Sequence, residues 1–251
     1  MTKLVARAAR ADTPTLLAIE TAGSRCSAAV ARGDRILAAA SQPQRHGHGE
    51  VLIAMLDRIM TEAGLMPHQL NIIAAAIGPG GFTGIRAGLA AAEGIALATG
   101  ARLIGVTGFQ AVAQAVRRAC ADSQRDANLL VALDSRRDDL YVQLFAADIS
   151  TPLALPRAVL PDVLSEYVGA TCRGAPLLVA GDAAEAAAAA LHGQVDVKII
   201  PDSSPNAVGV AAAALERARS ALAAEPVRAL YLRPPDVTLP KPRATAAPVR
   251  P

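Results

Sequence analysis

The residues best placed to do chemistry lie in one turn, Gly78-Pro79-Gly80-Gly81-Phe82-Thr83-Gly84-Ile85-Arg86, which leads from an apolar segment into an apolar helix. Its four glycines (Gly78, Gly80, Gly81, Gly84) can take positive φ and turn successive N–H groups toward one spot. A helix N-terminus behind them adds positive partial charge. Such a turn can cradle a phosphate through Gly80, Gly81, Thr83 and Gly84, with Arg86 adding charge. The same glycines have a plainer use, the close packing of turn against helix, with Arg86 ordering the loop. No Lys-Ser/Thr of the P-loop kind follows, and no Rossmann-type acidic residue is evident, so the structural use ranks first.

A second candidate is Asp134, at the head of the charged run Asp134-Ser135-Arg136-Arg137-Asp138-Asp139. With Arg136, Arg137, Asp138 and Asp139 it could form a second phosphate-facing hairpin that carries a catalytic carboxylate. Yet an acid with no metal, base partner or nucleophile beside it does no evident chemistry, and charge runs are commonly solvated turns. Ser24, Cys26 and Ser27 have no His partner in any recognisable arrangement. His46 and His48 lie two apart in a glycine-rich loop, and His68 and His192 stand alone, which reads as solvated histidines and no metal site. Cys26, Cys120 and Cys172 are widely spaced without a C-x-x-C, so reduced, buried thiols are expected.

The elements that must position these groups are legible from periodicity and turn residues. Residues 15–20, 26–32 and 35–41 read as three strands of a meander, broken by Thr21–Arg25 and the Gly33-Asp34 turn. A helix follows from about Glu50 to Ala63, closed by Gly64, with Leu52, Met55, Leu56, Ile59 and Ala63 as its main stripe and Val51, Ile53 and Met60 widening it. The strand Asn71–Ile77, a helix over about 84–99 and the strand Arg102–Val106 form a β-α-β crossover. The second helix carries small residues at Gly84, Gly88, Ala91, Ala92 and Ala96 between Ile85, Leu89, Ile95 and Leu97, so it too is apolar on nearly every face. Both helices therefore have apolar surface beyond what one sheet requires, and a partner protein is the natural cover.

A helix near 109–120 leads to the polar stretch 121–126, the expected boundary between a lobe at 14–121 and another at 127–233. The second lobe repeats the theme, with strands 129–134 and 140–146 joined by the charged turn, a strand at 176–180 leading to Gly181-Asp182, and two Ala-rich helices, the later over 206–224. Residues 1–13 read as a flexible segment and 234–251 as a disordered Pro-rich tail.

Composition narrows the function. The chain has 251 residues, 52% of them hydrophobic, enough for a sizeable core. Aromatic residues make up 2%, with no Trp, which disfavours a stacking surface for RNA. The formal net charge of +3 owes much to Lys and Arg in the end segments, so it points to solvated tails ahead of a nucleic-acid patch. No run of about 18 uncharged apolar residues occurs and no signal-peptide core precedes Thr13, so a cytoplasmic protein away from the membrane is expected.

Taken together, Leu17-Ala-Ile-Glu-Thr-Ala22, His48-Gly-Glu-Val-Leu52, Gly78-Pro-Gly-Gly-Phe-Thr-Gly-Ile-Arg86, Ile104-Gly-Val106, Leu133-Asp-Ser-Arg-Arg-Asp-Asp-Leu-Tyr141 and Ala229-Leu-Tyr-Leu-Arg233 resemble, in order and spacing, the TsaB (YeaZ) family of bacterial tRNA threonylcarbamoyladenosine biosynthesis proteins. The resemblance runs from about Leu16 to Arg233, and its specific element is the Gly-Pro-Gly-x-Phe-Thr-Gly-x-Arg turn. It implies an α/β fold of the actin/Hsp70/sugar-kinase (ASKHA) type, with two lobes related by duplication. It also implies a non-catalytic scaffold that pairs with a larger homologous transferase (TsaD-like), is joined by a small ATPase (TsaE-like), forms a homodimer when alone, and meets tRNA only indirectly.

Two positions depart from the family's pattern. Glu20 stands where nucleotide-binding members of the fold carry Asp, and Gly49 stands where a hydroxyl residue is expected. The transferase's paired metal-binding His residues have no counterpart in Thr107–Ala111. No cofactor of the chain's own is implied, with ATP or ADP at the subunit junction left open. The implied pairing uses the two first-lobe helices, which nominates Leu52, Met55, Leu56, Ile59, Met60, Ile85, Gly88, Leu89 and Ala92 as interface. The competing reading is an ATPase or phosphotransferase of the same fold that uses the glycine turn, Glu20 and Asp134.

Overall fold

The computed structural model describes residues 13–43, 48–119, 127–148, 152–169, 177–220 and 226–233. The expected flexible N-terminal segment up to residue 12, the boundary at 121–126, the tail at 234–251, His46, Cys120 and Cys172 lie outside them.

Two five-stranded sheets organise the chain. The first holds β1 (Thr15–Glu20), β2 (Arg25–Arg32), β3 (Arg35–Pro43), β4 (Ile72–Ala76) and β5 (Arg102–Val106) in the order β3-β2-β1-β4-β5. The second holds β6 (Asn128–Asp134), β7 (Leu140–Phe145), β8 (Arg157–Val159), β9 (Leu177–Ala180) and β10 (Val197–Ile199) in the order β10-β9-β6-β7-β8. In each, the first strand pairs antiparallel with the second and parallel with the fourth, so both halves run 3-2-1-4-5 in their own numbering. That identity of order and direction is the duplication suspected from the repeated strand-turn-strand pattern.

β1 and β4 are buried at every residue, as central strands covered on both faces must be. Helices α1 (His48–Glu62) and α2 (Phe82–Thr99) pack on each other and on the first sheet. Gly64, at φ 64°, closes α1 as its position in sequence suggested, and Gly49 falls within the first turn of that helix. Its expected role before the helix is thereby displaced.

The remaining long helices are exchanged between the halves. Helix α3 (Gly108–Ala119) sends Phe109, Val112, Ala113 and Val116 into a cluster with Leu129, Val131, Leu133 and Phe145 of the second sheet. Helix α6 (Ala207–Arg219) returns from the second half and places Val210, Ala211, Ala214 and Leu215 in the core of the first. Between them, α4 (Leu164–Gly169) and α5 (Ala184–Leu191) cover the second sheet. Asn206 caps α6, its Oδ1 accepting from Gly209 N at 2.9 Å. Asp34, in the β2–β3 turn, ties the ends of both exchanged helices, accepting from Arg118 at 2.7 Å and Arg219 at 2.6 Å. The hydrogen bond from Arg219, then the charges of both arginines, hold the Asp34 carboxyl below its ordinary range.

Candidate functional site

The glycine turn joins β4 to α2, and its outcome differs from the four-glycine expectation. Gly78 (φ 108°) and Gly80 (φ 156°) have positive φ, whereas Gly81 is an extended N-cap at φ −67° and Gly84 is helical. The reason lies in the neighbouring β1–β2 loop. A Cβ on Gly80 would strike the Ala22 carbonyl, and one on Gly88 would strike the Thr21 hydroxyl. Gly81 N donates to Ala22 O at 2.8 Å, and Thr21 Oγ1 donates to Gly84 O at 2.7 Å. The glycines thus let two loops touch, and the Gly81 N–H that a phosphate would need is already engaged. Thr83 is exposed and does not line the cleft.

Between the lobes, Glu20, Gly80, Asp134, Arg136 and Asp182 line one cavity of about 20 Å³, the room of a single water. Glu20 Oε1 accepts from Ala22 N at 2.8 Å and Gly23 N at 3.1 Å, while Oε2 is buried with no hydrogen-bond partner. Burial, opposed by those two backbone bonds and reinforced by the Asp182 charge, pushes the Glu20 carboxyl up to about 7. Burial likewise raises Asp182, whose Oδ1 accepts from Asp134 N at 2.9 Å. Asp134 turns its own carboxylate onto the Arg136 N–H at 2.7 Å. The Arg136 guanidinium then crosses the cleft to Gly23 O at 2.9 Å, its Nη1 within 3.4 Å of where a Cβ on Gly81 would stand.

Sequence reasoning found Gly80, Glu20 and Asp134, and the fold brings them together. It named Arg136 with the charged hairpin but not its bridge to Gly23, and it missed Asp182 as a cleft group. The signal was present in Gly181-Asp182 after β9, since Gly181 (φ 114°) repeats the behaviour of Gly80: a Cβ there would strike the Ala132 carbonyl. Among the described residues no three His, Cys, Asp or Glu side chains gather as a metal set. Cys26 is a buried free thiol, pushed up to about 11 by that burial.

The nine nominated interface residues sit elsewhere than expected. Leu52, Met55, Leu56, Ile59, Met60, Ile85, Gly88, Leu89 and Ala92 are all buried in this chain's own core. They form the inward stripes of α1 and α2. The outward face of α1 carries Ile53 (58% exposed) and Ala54 together with Asp57, Arg58, Thr61 and Glu62, and that of α2 carries Ala90, Gly94, Leu97 (87% exposed) and Ala98 together with Arg86 and Glu93. Periodicity located the helices, and the stripes it picked out as apolar are the ones this chain buries against its own sheet.

The other side of the glycine turn is open. A pocket of about 370 Å³ is lined by Pro79, Gly80 and the α2 N-terminus on one wall, by Ser135, Arg137 and Tyr141 on another, and by the extended segment 230–233. That segment is fastened at both ends: Leu230 N donates to Ile77 O at 2.7 Å, and Arg233 pairs with the buried Asp139. In between, the Tyr231 ring lies 5.5 Å from the Phe82 ring, and the Arg86 guanidinium lies 3.9 Å over Phe82.

This geometry has known counterparts. The family model for TsaD, tRNA N6-adenosine threonylcarbamoyltransferase, matches residues 36–151. The tRNA threonylcarbamoyladenosine biosynthesis protein TsaB of Haemophilus influenzae is 30% identical over 128 residues, 51% of this chain and 52% of that protein. The chain thus aligns with about half the length of that curated relative. An uncharacterised protein of Mycobacterium bovis is 30% identical over 234 residues, 90% of this chain and 95% of its own. Among solved structures, a Pseudomonas aeruginosa protein described as similar to the peptidase YeaZ superposes with a TM-score of 0.71 at 23% identity, over 88% of this chain and all of that one. A polyphosphate/ATP-glucomannokinase from Arthrobacter superposes at 0.50 and 13% identity, over 82% and 98%, which places the two-sheet architecture among ASKHA folds. In its glycine turn, its duplicated sheets and these relatives, the chain is similar to TsaB (YeaZ) proteins, in sequence over about half its length and in fold over most of it.

Proposed function

We propose that this chain is a non-catalytic scaffold in the formation of threonylcarbamoyladenosine next to the anticodon of tRNA, acting by pairing with a larger homologous transferase in the cytoplasm. The similarity to TsaB proteins supports the pathway. The observation that carries the non-catalytic part is the Arg136 guanidinium bound across to Gly23 O, beside a space of about 20 Å³ lined by Glu20, Asp134 and Asp182. A nucleotide needs a pocket of at least about 300 Å³. A small ATPase joins the pair, the chain forms a homodimer when the transferase is lacking, and any ATP or ADP sits at the subunit junction, outside this cleft.

The pairing surface in this reading is the outward face of α1 and α2, with Ile53, Ala54, Ala90, Gly94 and Leu97 as its apolar members among Asp57, Arg58 and Glu93. Small residues on α2 let a partner helix approach closely, and the leucine and isoleucine supply apolar area. The test is co-purification and light scattering with the organism's larger homologue, followed by threonylcarbamoyl transfer to tRNA. Ile53→Glu with Leu97→Glu is expected to weaken pairing at least about a hundredfold and leave the melting temperature within about 2 °C. Unchanged pairing in that variant sinks the interface. Tight Mg-dependent ATP binding by the chain alone, lost in Asp134→Ala, replaces the scaffold with the ATPase or phosphotransferase reading.

A further inference from the structure

The pocket behind the glycine turn concentrates what the chain otherwise lacks. Of its three Phe and three Tyr, half line this one pocket: Phe82, Tyr141 and Tyr231. Arg86, Arg137 and Arg233 line it as well, and among the described residues no carboxylate does. Phe82 and Tyr231 are 49% and 43% exposed, so ring surface is presented to solvent.

Two of these cations are held in place by the pocket's own wall. The Arg86 guanidinium carbon stands 3.9 Å over the centre of the Phe82 ring, which keeps its charge at the pocket mouth. Its Nε contact to Tyr231 Oη is long, at 3.4 Å. Arg233 is fixed from behind by Asp139, which is 2% exposed and also accepts from Ser135 Oγ at 2.7 Å. A buried acid that orients a pocket arginine pre-pays the ordering of that side chain.

Exposed rings interleaved with arginines are the combination that holds a single-stranded nucleic acid, base on ring and phosphodiester on guanidinium. A free Mg-nucleotide fits less well. It would ask for a carboxylate beside the metal, and the described lining supplies none, offering cations from three separate segments. We propose that this pocket binds RNA directly, taking an unpaired nucleotide against Phe82 and Tyr231 and its flanking phosphates on Arg86, Arg137 and Arg233. RNA is then met by this chain itself and not solely through a partner. The proposal draws on the pathway reading only in choosing a tRNA fragment as probe.

The test is made on the full chain without the transferase, so that failure of the scaffold reading leaves it standing. Fluorescence anisotropy follows a labelled anticodon stem-loop RNA, with ATP and ADP titrated separately by calorimetry. Arg86→Gln with Arg137→Gln is expected to weaken RNA binding at least about tenfold and to flatten the log K against log salt slope by about 0.7 per arginine. Phe82→Ala should cost about tenfold with less change in that slope. Arg35→Gln, an exposed arginine on β3 away from the pocket, should stay within about twofold, and melting curves confirm that each variant is folded. No saturable RNA binding overturns the proposal, as does equal loss in Arg35→Gln, which would mark nonspecific charge attraction. Tight ATP or ADP binding without RNA binding overturns it too, in favour of a free-nucleotide site.

Discussion

Glu20 ends β1 with one oxygen served by two backbone N–H groups and the other buried without a partner. Its folded pKa of about 7 stands above the ordinary 4.5, so between those values the folded chain holds a proton that the unfolded chain has lost. Stability contributed by this group is therefore full below about pH 4.5 and falls as pH rises to about 7. Over that window the loss is of order 3 kcal/mol. Glu20→Gln keeps the Oε1 acceptor and carries no charge, so urea unfolding from pH 5 to 8 should show a flatter profile and a more stable protein at pH 8. An unchanged slope would mean that Glu20 is ionised in the fold at little cost. Glu20 could be picked out in the sequence because it stands at the end of a readable strand. The bridging role of Arg136 could not, since it depends on a hairpin from one lobe reaching the carbonyl of Gly23 in the other, a contact between residues far apart in the chain.

At the scale of elements, α2 shows how one composition serves two faces. Its inward glycine, Gly88, meets Thr21, and Gly80 before it meets the Ala22 backbone, whereas a Cβ on Gly94 would meet nothing within 4 Å. Gly80→Ala should destabilise by about 2 kcal/mol, because a backbone carbonyl cannot swing aside. Gly94→Ala should instead stabilise the free chain by about 0.5–1 kcal/mol through helix propensity and a less flexible unfolded state. Thermal melts of the two variants check both signs. The long, periodic elements were legible to within a few residues, but β8, β10 and α4 were not. Segments of three to six residues, such as Arg157–Val159 and Val197–Ile199, are too short to display a period, and their pairing is decided by the sheet they join. The helix read as extending over 206–224 is described from Ala207 to Arg219, with residues 221–225 outside the description.

For the molecule as a whole, the hairpin 134–139 is gripped from two directions, by Gly23 through Arg136 and by the segment 230–233 through Arg233. Arg233→Ala would leave Asp139 buried and unpaired, a loss of about 3 kcal/mol that adding Asp139→Asn should largely restore. Denaturant unfolding of the single and double variants measures it, and absence of rescue would argue that the arginine acts through packing alone. The exchange of α3 and α6 between the sheets was hidden from sequence, because an apolar helix carries no mark of which sheet it will cover. It has a consequence for biogenesis. The first sheet cannot complete its core until residues 207–219 have been synthesised, so a nascent chain stalled after the first half should remain protease-sensitive and chaperone-bound. Here the usual order, in which the N-terminal unit folds while the ribosome is still translating, gives way to a single late folding event.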